Sequence, residues 1–156
     1  MKVLLASIDS KYIHSNLAVR SLKKYAEQKL RESGAFCDIE IAEYTINQQP
    51  AKVMADIYKQ DADVIMFSCY IWNRVFMGKL LDDLAAVRPD VDIWLGGPEV
   101  SFDSEEILVR FSNVRGIMTG EGEETFAKLL SAYAAADEAA EYSAEDLNSI
   151  SGSIYR

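Results

Sequence analysis

Hydrophobic residues along the chain form two kinds of pattern, continuous runs and stripes at helical spacing. Lys2–Ile8 is a near-continuous apolar run, and Leu17–Ser33 then places apolar residues at helical spacing until Gly34. The order repeats, because Ala62–Ser68 is continuous and apolar and Trp72–Val87 carries a second stripe. That stripe, which we predict to be buried, contains Trp72, Val75, Phe76, Leu80, Leu84 and Val87. Continuous runs are typical of strands covered on both faces, so the two runs predict central strands.

Weaker patterns predict the remaining elements. Cys37–Tyr44 alternates between apolar and polar residues, which predicts an edge strand with one buried face. Further strands are predicted at Val91–Leu95 and Val114–Met118, and further helices at Pro50–Lys59, Ser104–Phe111 and Thr125–Tyr133. Five strand-helix units result.

Strands that alternate with helices indicate a parallel sheet with helices on both faces. Two central runs and an alternating second strand favour a flavodoxin-like, doubly wound five-stranded sheet with the order 2-1-3-4-5. After Tyr133 the composition shifts to Ala, Glu, Asp and Ser. We therefore expect a globular α/β domain over residues 1–135 and a linker over residues 136–156.

Composition and charge remove several classes of function. The 156 residues carry a net charge of -9 with no cluster of Lys and Arg, which argues against a nucleic-acid partner. The longest apolar stretches are far shorter than the roughly 20 residues of a membrane span, and the N-terminal run breaks at Asp9, so neither a membrane partner nor a signal peptide is expected. Two cysteines in different elements are expected to be reduced thiols of a cytoplasmic protein.

Four loops at the carboxyl ends of the strands are candidate ligand sites, because ligands of such sheets bind at that edge. The loop after the first strand has no glycine, which excludes a P-loop and a dinucleotide fingerprint. The segment Gly120–Thr125 matches only part of the dinucleotide fingerprint, and it fits the start of a helix. Ser68 stands where a phosphate-accepting receiver would need an Asp at the end of the third strand. His14 is the single histidine, so no His-rich metal site is expected.

The ordered combination of three strand-end motifs carries a resemblance to a known family. Ser68 ends the third strand, Gly96-Gly97-Pro98-Glu99-Val100 follows the fourth, and Gly120-Glu-Gly-Glu-Glu-Thr-Phe126 follows the fifth. Together they resemble the N-terminal cobalamin (vitamin B12)-binding domain of cobalamin-dependent radical SAM proteins. The opening loop Asp9–Leu17 resembles that of one subgroup.

The resemblance implies cobalamin lying over the carboxyl edge, with its nucleotide tail in a groove between strands. Ser68 would contact the dimethylbenzimidazole tail, and Gly96 and Gly97 would let the tail pass. The expected cofactor-binding residues are Asp9, Lys11, Tyr12, His14, Ser68, Cys69, Tyr70, Gly96, Gly97, Pro98, Glu99, Gly120, Glu121 and Gly122.

The sequence departs from the family pattern in two places. Lys11 occupies the histidine position of the family's Asp-x-His-x-x-Gly motif and His14 its glycine position, so we expect base-off cobalamin without a protein histidine ligand. The alternative expectation is that His14 approaches the corrin face of the cofactor. The serine motif is Ser68-Cys69-Tyr70 rather than Ser-x-Leu.

With two cysteines, the chain lacks the cysteine triplet for a 4Fe-4S cluster and cannot by itself cleave S-adenosylmethionine. Both cofactors are expected only in a C-terminal radical SAM domain of the same parent chain. The first hypothesis is a cobalamin-binding module of such an enzyme, whose chemistry would be methyl transfer or a related radical reaction. The alternative is a docking domain that no longer binds the cofactor. A hydrolase using Cys69 or Asp9 with His14 is the third.

Overall fold

A computed structural model describes residues 1–12, 15–139 and 150–155, so His14 and most of the predicted linker lie outside the described residues. The strands are β1 (Lys2–Asp9), β2 (Asp38–Thr45), β3 (Val64–Ser68), β4 (Asp92–Gly96), β5 (Val114–Met118) and β6 (Ser153–Tyr155). The helices are α1 (Leu17–Ser33), α2 (Pro50–Gln60), α3 (Arg74–Val87), α4 (Pro98–Ser101), α5 (Ser104–Arg110) and α6 (Gly122–Ala139).

These strands form one sheet with the order β2-β1-β3-β4-β5-β6. The first five are parallel and confirm the predicted flavodoxin-like order, and β6 adds an antiparallel edge strand that the pattern did not predict. The two continuous runs are central, as β1 and β3. Three residues give too short a pattern to predict β6 from the sequence.

Apolar cores lie on both faces of the sheet. One face packs against α2, α3 and α5 through residues such as Ile57, Leu80 and Leu108, and the other packs against α1 and α6 through residues such as Val19 and Phe126. Helices on both faces are what right-handed crossovers between parallel strands produce. Within the described residues, no helix is both long and apolar enough to span a bilayer.

The predicted buried stripe of α3 was partly wrong. Leu80 and Leu84 are buried, but Trp72, Val75 and Val87 are 44%, 89% and 48% exposed. Met77 and Leu81 complete the buried face instead. The helix begins at Arg74, after a turn in which the Asn73 N–H donates to the Tyr70 carbonyl, so Trp72 precedes the helix. Val75 and Val87 lie beside the buried face of the helix rather than on it.

Candidate functional site

A groove lies at the carboxyl ends of the parallel strands, on the face of the sheet covered by α1 and α6. Its volume is about 550 Å³, within the usual range of small-molecule sites. Its inner wall is apolar and is formed by Leu5, Val19, Leu22, Met66 and Met118, among others. Its mouth is formed by the loops that follow β3, β4 and β5. An apolar interior with a polar rim suits an organic ligand that carries an apolar ring.

The groove collects most of the sequence-predicted site residues. Those that line it are Ser68, Tyr70, Gly96, Gly97, Pro98, Gly120, Glu121 and Gly122. They come from three separate loops, which the parallel topology brings to one edge.

The predicted residues of the first loop lie outside the groove lining. Asp9 is 6% exposed at the end of β1, and its carboxylate accepts a hydrogen bond from the Ser7 hydroxyl at 3.2 Å. Lys11 and Tyr12 are exposed. His14 lies outside the described residues.

Cys69 and Glu99 line a second cavity of about 610 Å³, bordered by α3, α4 and α5. The Glu99 carboxylate pairs there with Arg74 at 2.8 Å. Burial raises the pKa of the Cys69 thiol to about 12, and the thiol donates to the Phe67 carbonyl at 3.8 Å. A thiol with this pKa stays protonated near neutral pH, so the geometry gives no support to nucleophilic catalysis by Cys69.

Gly97 occupies a position that only glycine accommodates. Its φ is +110°, and a Cβ there would lie 2.4 Å from the Cys69 carbonyl oxygen. The loops after β3 and β4 are also hydrogen-bonded to each other, since the Cys69 N–H donates to the Gly96 carbonyl at 2.7 Å. Gly97 therefore lets the loops after β3 and β4 close on each other, which shapes the groove mouth they share.

At Gly96 a bare backbone faces the groove. A Cβ at this position would be 3.4 Å from the Met118 methyl group, close to an ordinary van der Waals contact. A small side chain would therefore fit at position 96, whereas at position 97 it would collide with backbone. Its lack of a side chain leaves space beside Met118 in the groove, as passage of a bulky ligand would need.

Sequence reasoning missed Asn73, which organises the loop after β3. Asn73 is fully buried, and its amide donates to the carbonyls of Ile8 at 3.0 Å and Ser68 at 2.9 Å. Its side-chain oxygen accepts from the Tyr70 N–H at 3.0 Å. One side chain thereby joins the ends of β1 and β3. No local pattern reveals this role, because both carbonyls come from strand ends that meet only in the folded sheet.

The same loop carries an aromatic pair. The rings of Tyr70 and Trp72 are stacked, with centroids 4.5 Å apart and planes inclined by 5°. The Trp72 indole N–H donates to the Ile8 carbonyl at 3.2 Å. Trp72, predicted to lie in the core, is therefore a partly exposed residue of the candidate ligand edge.

Asn16 at the start of α1 was also missed, although an Asn before an apolar-periodic run is a recognised helix-start signal. Its side-chain oxygen accepts from the N–H groups of Ala18 and Val19, which caps the helix. Its amide donates to the Ser68 hydroxyl at 3.0 Å. A helix cap thus contacts the predicted tail-binding serine.

The fold and this groove define a doubly wound α/β domain with a small-molecule site at its carboxyl edge. The profile of the B12 binding domain family matches residues 1–130. The chain therefore belongs to this family, and the cobalamin expected from the sequence is the cofactor by which the family is described.

The cobalamin-dependent radical SAM methyltransferase TokK of Streptomyces tokunonensis is 31% identical over 109 residues, which are 70% of this chain and 15% of TokK. A solved structure of the cobalamin-dependent S-adenosylmethionine radical enzyme OxsB with aqua-cobalamin superposes with a TM-score of 0.73 at 19% identity, over 99% of this chain and 20% of that one. The radical S-adenosylmethionine methyltransferase TsrM of Kitasatospora setae gives 0.70 at 13% identity, over 99% and 28%. The two superpositions show a shared fold, and this chain spans a small fraction of each relative.

Proposed function

We propose that the chain is the cobalamin-binding module of a longer radical SAM enzyme, and that its groove takes the nucleotide tail of the cofactor. The observation that carries the proposal is the groove itself: its apolar interior opens between Ser68, Gly96 and Gly97, the residues expected to contact the tail. When bound, cobalamin would supply a cobalt centre for methyl transfer or related radical chemistry in the parent enzyme.

In this proposal each part of the edge has a separate task. The apolar wall formed by Leu5, Met66 and Met118 removes the tail base from water, which favours binding of its flat ring. Ser68 at the mouth offers a hydroxyl to the polar atoms of the base. The Tyr70 and Trp72 pair gives an apolar surface near the corrin side of the same edge.

Base-off binding without a protein histidine ligand is part of the proposal. A tail base bound in the groove would not be available as a ligand to cobalt, so the groove residues would hold the cofactor base-off. Lys11 stands at the histidine position of the family motif, and its side chain is exposed. The visible spectrum of the bound cofactor tests this point. We expect a base-off spectrum that is unchanged in His14→Ala, whereas a histidine-ligated spectrum lost in that variant would contradict it.

The domain organisation completes the proposal. Residues 1–135 would hold the cofactor, and residues 136–156 would lead to a C-terminal radical SAM domain that contains the S-adenosylmethionine and 4Fe-4S sites. The small fraction of TokK and OxsB that this chain spans supports a longer parent. Cys37 and Cys69 are buried and form no disulfide within the described residues, which is consistent with the proposed cytoplasmic location.

The test is retention of hydroxocobalamin by the purified protein after desalting, measured from the visible spectrum. We expect about one equivalent bound by the wild type. In Ala18→Trp, an exposed groove-lining position of α1 would carry an indole that fills the groove, so retention should fall at least tenfold. Lys24→Trp is the matched control, because it adds the same ring to an exposed site of α1 outside the groove lining and should retain cobalamin.

A docking domain without cofactor is the second candidate, and exposed apolar side chains near the carboxyl edge favour it. Tyr12, Ile71 and Phe102 are 92%, 77% and 90% exposed. Such side chains are enriched at protein interfaces. If neither the isolated domain nor its full-length parent retains cobalamin at high micromolar concentration, the module proposal fails and the docking function is favoured.

A further inference from the structure

Asn16 is a buried polar residue that is hydrogen-bonded to the groove-lining residue Ser68, and it has contacts to three elements. It is 8% exposed and immediately precedes α1. Its backbone N–H donates to the Glu43 carboxylate of β2 at 2.9 Å, and Glu43 pairs with Arg20 of α1. Its side chain contacts the helix start on one side and Ser68 at the end of β3 on the other. These contacts hold the amide in one orientation.

The orientation of the Asn16 amide follows from its partners. The N–H groups of Ala18 and Val19 can only donate, so the atom that faces them, at 3.1 and 3.4 Å, must be the amide oxygen. The NH₂ group therefore faces Ser68, whose hydroxyl oxygen lies 3.0 Å away and must accept. The helix cap thus fixes the direction of the hydrogen bond to Ser68.

A serine hydroxyl that accepts from Asn16 keeps its own proton for another partner. Among the described residues, the Ser68 hydroxyl donates to no protein acceptor, and Ser68 lines the groove. The groove mouth therefore presents a hydroxyl donor, with a lone pair of the same oxygen engaged by the amide. The matching ligand atom is a hydrogen-bond acceptor.

We propose that Asn16 is a positioning residue: it fixes Ser68, the residue expected to contact the tail, as a hydrogen-bond donor toward the ring nitrogen of the tail base. The inference rests on the proposed function, because it concerns the cobalamin tail. A base withdrawn from cobalt exposes the ring nitrogen that would otherwise bind the metal, and this nitrogen has an in-plane lone pair. Ser68 would donate to it.

Asn16→Asp tests the inference with an isosteric change. One carboxylate oxygen keeps the helix cap, while the other replaces the donor that faces Ser68. Ser68 would then donate to the introduced carboxylate and turn its proton away from the groove. We expect cobalamin to bind about tenfold more weakly, which is the size of one hydrogen bond, with little change in the melting temperature.

A second probe separates this role from a general structural one. The cobamide whose tail base is p-cresol lacks the ring nitrogen, so its affinity should not depend on the direction of the Ser68 hydroxyl. The ratio of cobalamin affinity to p-cresolylcobamide affinity should fall about tenfold in Asn16→Asp and in Ser68→Ala. In the double variant the ratio should fall no further, because both changes remove one interaction.

Asn16→Ser provides a neutral comparison, since it keeps a capping oxygen but is too short to keep the present contact with Ser68. It should lower the ratio several-fold without adding a charge. An unchanged ratio in Asn16→Asp, with normal binding by the wild type, overturns the positioning role alone. Failure of the wild type to bind cobalamin overturns the proposed function and this inference with it.

Discussion

At the residue scale, glycine has two different roles in the loops of this protein. Gly34 and Gly120 have positive φ values of +78° and +74°, and a Cβ at either would meet no atom within 4 Å. Gly97 combines a positive φ with a backbone oxygen 2.4 Å from the position of a Cβ. A residue with a side chain loses about 1 kcal/mol when it adopts a positive φ. A side chain at position 97 would in addition collide with the Cys69 carbonyl oxygen, so one of the two loops would have to move.

We therefore expect Gly97→Ala to lower the free energy of unfolding by about 3 kcal/mol and Gly34→Ala by about 1 kcal/mol. Urea denaturation followed by circular dichroism measures both. Gly34→Ala is the control for backbone strain without a collision. Equal losses in the two variants would show that the loops after β3 and β4 separate easily, contrary to the contact described above.

At the element scale, the ends of neighbouring strands depend on single side chains that cross between them. Asn73 bonds the carbonyls of Ile8 and Ser68 at the ends of β1 and β3. Asn113 makes a simpler contact, one hydrogen bond of 2.9 Å to the Leu81 carbonyl of α3. Asn73 is more buried and makes more hydrogen bonds than Asn113. Replacing Asn73 should therefore lower the free energy of unfolding more than replacing Asn113 does.

Asn73→Ala should lower the free energy of unfolding by about 3 kcal/mol, because it empties a fully buried position and removes three hydrogen bonds, those to the Tyr70 N–H and to the carbonyls of Ser68 and Ile8. It should also weaken cobalamin binding, since Tyr70 and Ser68 lose their support. Asn113→Ala should cost about 1 kcal/mol and leave binding unchanged. Chemical denaturation and the desalting assay give the two readouts, and a loss for Asn73→Ala no larger than for Asn113→Ala would contradict the prediction.

Element prediction from the sequence succeeded where a pattern was long or ended in a strong signal. The predicted bounds Leu17–Ser33 are those of α1, because the helical spacing of apolar residues begins at Leu17 and Gly34 provides a left-handed stop. The start of α3 was predicted two residues early, and its buried face was assigned wrongly in part. Helical spacing of apolar residues indicates a helix. When a turn residue next to the helix is also apolar, as Trp72 is, the spacing alone does not show which face of the helix is buried.

At the scale of the whole molecule, the end of the described chain returns to the edge of the sheet beside the candidate site. The Thr119 N–H donates to the Gly152 carbonyl at 2.8 Å, and the Thr125 hydroxyl donates to the Ser151 carbonyl at 3.1 Å. Thr119 immediately precedes Gly120 in the groove lining. Ser151 and Gly152, which lead into the edge strand β6, therefore support the last loop of the groove from outside.

Gly152→Ala should detach this strand, because φ is +88° and a Cβ would lie 2.7 Å from the Thr125 hydroxyl oxygen. We expect hydrogen exchange at the Thr119 amide to accelerate at least tenfold, and the free energy of unfolding to fall by about 2 kcal/mol. Gly120→Ala, with positive φ and open space, is the control. Unchanged exchange at Thr119 would mean that β6 does not protect the loop.

The sequence by itself determined the strand order, the two central strands, and the loops in which most of the groove mouth lies. These follow from local periodicity and from topological rules that hold for any chain of alternating strands and helices. The resemblance added the cofactor, since no local pattern specifies a corrin.

Only the tertiary structure decided how Asn16 meets Ser68, why Gly97 must lack a side chain, and which face of α3 is buried. Each of these depends on contacts between residues 25 or more positions apart, or on the rotation of one helix against the sheet. Such hydrogen bonds and collisions depend on how the elements pack against each other, and the periodicity of the sequence does not specify that packing.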